Sequence, residues 1–267
     1  MDSTSKIWLG LGVVCASGAM VSCTSTQGGD MSSTMDHSAM AMTASEGGEG
    51  GESASSADSV SSDAVYLGQL KFIRGHLLVG VELYQEGDAE ASETHMKHPE
   101  SEIYAALLPA LEVRSAPEFA GQLSALALAV ENRQPVSTVT AAFDDLMSAI
   151  ARAEGAVAPV TPRLLGDVIV DLVSTAAAEY DIAAGDDLGL ENGHEYQDSF
   201  GFMRIAYDVL AQLEAMGTDS GITSSIRERM DTIMPAWTGL QPPARLHVQP
   251  SVIYGAASRI ELSVSGL

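Results

Sequence analysis

From Asp63 to Tyr84 the apolar side chains recur at steps of three and four: Tyr66, Leu70, Ile73, Leu77, Val81 and Tyr84. That spacing places them on one face of an α-helix. The same period returns in Phe119, Leu123, Leu126 and Val130, and again in Val139, Phe143, Leu146 and Ile150 after Pro135 and the cap candidate Ser137. A helix is predicted from about Thr161 to Ala184, with Pro162 in its first turn. Another carries Tyr196, Phe200, Met203, Tyr207 and Leu210, and a shorter one Ile222, Ile226, Met230 and Ile233. Ser251 to Val264 reads as a closing helix with Val252, Ala256, Ile260 and Val264 inward. Asp63 is the expected N-cap of the first helix and Gly87 its expected stop. No segment alternates as a strand does. The predicted fold is an all-α antiparallel helical bundle, and about 200 ordered residues are ample for its core.

The chain has 267 residues and a formal charge of -23, with a pI near 4.3. A surface of that sign repels phosphate backbones, which argues against nucleic-acid binding. It attracts cations and basic partners, and it also suits simple solubility.

The N-terminus has the layout of an export signal. A polar start with the single cation Lys6 precedes the apolar run Ile7 to Val14, and small residues lead to Ser22-Cys23. The run is too short and too interrupted for a membrane span. Met20-Val21-Ser22-Cys23 resembles a lipobox, with Met20 where Leu is usual, and cleavage after Ser17-Gly18-Ala19 competes with it. Either cut removes Cys15 and leaves Cys23 without a disulfide partner, which favours lipidation of Cys23. Residues 1–22 are therefore read as a lipoprotein-type signal peptide, 23–62 as a disordered Ser/Gly/Met-rich tether, and 63–267 as the helical domain. The expected location is the periplasm or cell envelope, anchored to the membrane through lipid.

Within the domain, Thr94-His95-Met96-Lys97-His98-Pro99-Glu100-Ser101-Glu102 concentrates ligand chemistry. On a continuous helix His95, His98 and Glu102 share a face, and His76 on the preceding antiparallel helix adds a further ligand. Imidazole and carboxylate suit iron, zinc, copper or manganese. The competing reading has Pro99 start a new helix, with Glu100 and Glu102 merely favouring its N-terminus. A second stretch runs Glu191-Asn192-Gly193-His194-Glu195-Tyr196-Gln197-Asp198. Glu191-x-x-His194 has di-iron spacing, but Asn192-Gly193 is turn chemistry, which separates the two, while Glu195 and Asp198 stand at helical spacing in a helix start. An internal echo links Glu82-Leu83-Tyr84 before Gly87 with Glu179-Tyr180 before Gly185, each followed by a segment opening on His and Glu. It fits two pseudo-repeated helical hairpins, and it equally fits chance in a Glu-rich helical chain. The tether also holds Met31, Met35, Asp36, His37, Met40 and Met42, whose thioethers and imidazole are soft ligands suited to Cu(I), or which are simply linker residues.

Glu179-Tyr180, Gly185, Asn192, Glu195-Tyr196 and Gly201-Phe202 together resemble the extracytoplasmic helical domain that accompanies bacterial high-affinity iron permeases. The resemblance spans about residues 164–215. The chain lacks the permease helices and the Arg-Glu-x-x-Glu motif, so the resemblance implies a link to iron without transport, with Glu179 and Glu195 as the matching positions.

No phosphate loop and no nucleophile elbow is present, and catalysis is not expected. The expectation is an exported, membrane-tethered protein that binds a transition metal, most plausibly iron, through His76, His95, His98, Glu102, Glu179 and Glu195. The alternative is an envelope lipoprotein that docks a protein partner and holds no metal.

Overall fold

The computed structural model describes residues 55–267. The export signal, Cys23 and the Met-rich stretch lie outside the described residues. Among the described residues the chain is an antiparallel bundle of α-helices without strands, and its β-type pairing is limited to the isolated bridges Ala184↔Leu190 and Gly189↔Arg245.

The first helix begins before Asp63. α1 (Ser56–Ser61) is followed directly by α2 (Asp63–Glu86), whose N-cap is Ser62, not Asp63, with its hydroxyl accepting from the Val65 amide. Arg114 holds this junction by donating to the Ser59 carbonyl and the Asp63 carboxylate. Gly87 ends α2 at φ 93°, a left-handed C-cap that suits glycine.

α2 is the central helix. The predicted face is buried, but so are Leu67, Phe72, Val79 and Leu83 around the rest of its circumference. α3 (Ala89–His98), α6 (Val136–Glu154), α7 (Pro162–Ala183) and α8 (Gly193–Ala215) surround it. Where charged residues occur on α2 they are tied to neighbours. Lys71 and Arg74 reach Glu154 of α6 at 2.9 and 2.8 Å, and Glu82 pairs with Arg204 of α8.

Pro99 does not open a separate helix. α3 runs into a widened π-helical turn, Pro99–Tyr104, and on into α4 (Ala105–Val113), with His98, Pro99, Tyr104 and Ala105 all in right-handed helical conformation. A π turn inserts a residue into the helical ladder and rotates the side chains beyond it, a device frequent at functional sites.

α5 (Ala120–Glu131) and α6 form a helical hairpin, and α9 (Ser220–Ile233) packs on α10 (Pro250–Val264). Pro135, not Ser137, stands at the N-cap of α6. Val252 points outward and is 47 % exposed, whereas Ile253, Ala256, Ala257, Ile260 and Val264 line the inner face of α10. The inward stripe begins one residue later than the sequence pattern suggests.

Two glycines set the crossing of α2 and α8. A Cβ on Gly201 would stand 2.7 Å from the Gly75 carbonyl oxygen, and one on Gly75 would stand 2.6 Å from the Phe202 ring. Glycine at both positions lets the backbones touch. Gly80 does the same for α3, since a Cβ there would meet Met96 at 2.6 Å and His95 at 3.1 Å. The His-bearing faces of α2, α3 and α8 are thereby drawn together.

Candidate metal centre

Five side chains converge where α2, α3 and α8 meet. α2 supplies His76, the last turn of α3 supplies His95 and His98, and the first turns of α8 supply His194 and Asp198. Asn192 caps α8 by accepting from the His194 amide, which starts the helix where His194 and Asp198 fall one turn apart on one face.

Asp198 is the hub. His76 Nδ1 lies 2.6 Å and His95 Nδ1 2.9 Å from its Oδ1, while His194 Nδ1 lies 3.1 Å from its Oδ2. His76, His95 and Asp198 are fully buried; His98 and His194 are half-buried and form the outward side. The His194 ring stacks on His95 at 4.2 Å and meets His98 edge-on at 4.6 Å. Phe202 closes the inner wall, edge-on to His76 at 5.0 Å.

Burial pushes the Asp198 carboxyl up, but the His76 and His95 rings beside it outweigh that and hold it well below the usual carboxylate range. Burial also pulls His194 down to about 3, against the opposing pull of Asp198 and with the help of the three neighbouring imidazoles. At neutral pH His194 is thus a neutral ring with a lone pair, the form a metal ion requires. Its Nε2 is shut from solvent and has no hydrogen-bond partner among the described residues.

The environment of His95 fixes its tautomer. Gln197 donates through Nε2 to the Leu240 carbonyl at 3.2 Å, so its Oε1 faces His95 Nε2 at 3.0 Å and accepts from it. With Nε2 carrying hydrogen, a neutral His95 turns its Nδ1 lone pair toward Asp198 Oδ1. In that neutral form the two acceptors, 2.9 Å apart, call for a cation against both, whereas a ring with hydrogen on both nitrogens donates to Asp198 directly. Ligand atoms each about 2.0–2.1 Å from one ion stand roughly 2.9 Å apart at right angles and roughly 3.3 Å apart at the tetrahedral angle; the His95 contact matches the first, while the 2.6 Å His76 contact is a hydrogen-bond distance. A metal-bound imidazole donating its other N–H to a carbonyl oxygen is the usual supporting arrangement.

The loop after α9 carries that support. Tyr196 accepts from the Thr238 amide through its hydroxyl, Trp237 donates to Ser199, and Tyr180 donates to the Val248 carbonyl. These bonds seat Leu240 where Gln197 reaches it.

Of the ligands predicted from sequence, the structure brings His76, His95 and His98 together. Glu102 lies in the π-helical turn, and its side chain is outside the described residues. Glu179 and Glu195 are buried, yet they belong to neither set of converging ligand atoms. Glu195 instead faces the helix start, where its Oε1 accepts from Asn192 at 3.2 Å. His194 and Asp198 are the ligands that sequence reasoning missed. Their i, i+4 spacing is the available signal, and pairing His194 with Glu191 obscures it, because Glu191 lies before the helix begins.

No helix among the described residues is long and apolar enough to cross a membrane. Comparison with protein families, with curated proteins and with solved structures gives no match.

Proposed function

We propose that this protein is an exported, membrane-tethered metal-binding protein whose helical domain holds a transition metal ion at Asp198, His76 and His95, with His98 and His194 completing the centre. The observation that carries the reading is the confrontation of His95 Nδ1 with Asp198 Oδ1 under a tautomer set by Gln197. Imidazole nitrogen with carboxylate oxygen suits first-row ions of intermediate softness. Iron is favoured among them by the resemblance over residues 164–215, although Glu179 and Glu195 stand outside the ligand set. The role is binding, not catalysis.

Elemental analysis of protein isolated from the envelope of its native host tests the reading. A stoichiometric transition metal, iron by preference, is expected, and it should be lost in Asp198→Asn and in His95→Ala. Metal-free wild-type protein that also fails to take up Fe(II), Zn(II) or Co(II) would reject it in favour of a docking lipoprotein with a protonated His95. For the anchor, palmitate labelling that disappears in Cys23→Ala is expected, and an unlabelled wild-type chain would overturn the tether.

A further inference from the structure

The ligands at this centre divide into two sets that share one residue. His76, His95 and Asp198 bring ligand atoms within 4.8 Å of one another, and so do His98, His194 and Asp198, but the five do not form one such set. Ligand atoms of a single ion, each about 2.0–2.2 Å from it, cannot lie more than roughly 4.4 Å apart. The two sets also use different oxygens. Oδ1 faces His76 and His95, and Oδ2 faces His194.

From this division we infer that the centre holds two metal ions bridged by the Asp198 carboxylate, an inner ion on His76 and His95 and an outer ion on His98 and His194. The inference rests on the metal-binding reading above. A carboxylate with one oxygen on each of two ions is the common way to hold them about 3.5–4 Å apart. The 4.2 Å stacking of His95 on His194 places one imidazole of each set side by side along that bridge. The two positions differ in depth. The inner set is fully buried, while the rings of His98 and His194 in the outer set are partly exposed, although His98 Nδ1 and His194 Nε2 are themselves covered. The outer ion therefore exchanges first.

The test is a Co(II) titration of the full-length chain after chelator treatment, followed by visible absorption and spin resonance. Wild type is expected to take up two equivalents with magnetic coupling between them. His98→Asn and His194→Asn are each expected to take up one uncoupled equivalent. Asp198→Asn should lose both. A wild-type chain that saturates at one equivalent, with His194→Asn weakening that same ion tenfold or more, overturns the bridged pair and leaves the single-ion reading standing. No uptake at all overturns both. Circular dichroism of each variant establishes that the bundle is folded, and the paired His98 and His194 variants keep the test decisive if either one fails to fold.

Discussion

Gln197 touches no predicted ligand position of the sequence pattern other than His95, yet it decides what His95 offers to Asp198. Replacing it with leucine keeps most of its volume, removes the acceptor for His95 Nε2–H and frees the tautomer. Gln197→Leu should weaken metal affinity 10- to 100-fold, while the metal-free protein loses only about 1 kcal/mol from the unpartnered Leu240 carbonyl. Isothermal titration against thermal melting separates the two effects; equal affinity in wild type and variant would refute the tautomer argument. Asp171 offers an independent residue-scale prediction. It lines a shallow surface pocket with Ala64, Val65, Asp167 and Ser174, and burial alone raises its carboxyl to about 6. The folded state thus binds the proton more tightly than the unfolded chain. Below pH 4 both states are protonated and nothing is lost; stability falls as pH rises from about 4 to 6 and stays lower above that. Asp171→Asn should therefore match wild type near pH 3.5 and exceed it by about 1–3 kcal/mol at pH 7, read from denaturant midpoints at the two pH values.

At the scale of elements, the contact of α2 with α8 depends on Gly75 and Gly201. Gly201→Ala places a methyl group 2.7 Å from a backbone carbonyl oxygen and 2.9 Å from Val79, so the helices must part. A loss of about 1–3 kcal/mol is expected, together with weaker metal binding, because the same separation carries Asp198 away from His76. Gly255 in α10 is the control. Nothing lies within 4 Å of a Cβ there, and Gly255→Ala should raise stability by about 0.5–1 kcal/mol with metal affinity unchanged. If both variants behave alike in melting and in titration, the glycine crossing does not set the site. The π-helical turn belongs to this scale too. It allows α3 to end in His95 and His98 without breaking the helical path into α4.

Across the whole molecule, ligands from three helices couple binding to folding. The unfolded chain cannot assemble His76, His95 and Asp198, so metal binds the native state preferentially. At free metal 100-fold above its dissociation constant the gain is about 2.7 kcal/mol, which for a domain of this size raises the melting temperature by roughly 5–10 °C. Differential scanning fluorimetry with and without Fe(II) or Co(II), reversed by chelator, checks this. A melting temperature indifferent to both ions contradicts a site formed between helices. The two hairpins named by the internal echo contribute unequally. His98 and His194, which open the two echoed segments, are a matching pair, whereas His76, His95 and Asp198 have no counterpart in the echo.

Local pattern in the chain dictates the helices, because each must turn an apolar face inward at a period of 3.6, and it dictates where most of them start or stop, because Gly87 and Pro162 act through local backbone geometry. It also marks His76, His95 and His98. Packing decides the rest. Periodicity finds one apolar face, so it does not show that α2 is buried all round or that Val252 points outward. Local spacing treats Pro99 as a boundary, while packing carries the helix through it as a π turn. Glu179 and Glu195 look equivalent to Asp198 as helix acids, but of these three Asp198 is the one that joins the converging ligand sets among the described residues. That choice depends on how closely α8 approaches α2 at Gly75 and Gly201, a distance between residues far apart in the chain that no local pattern encodes.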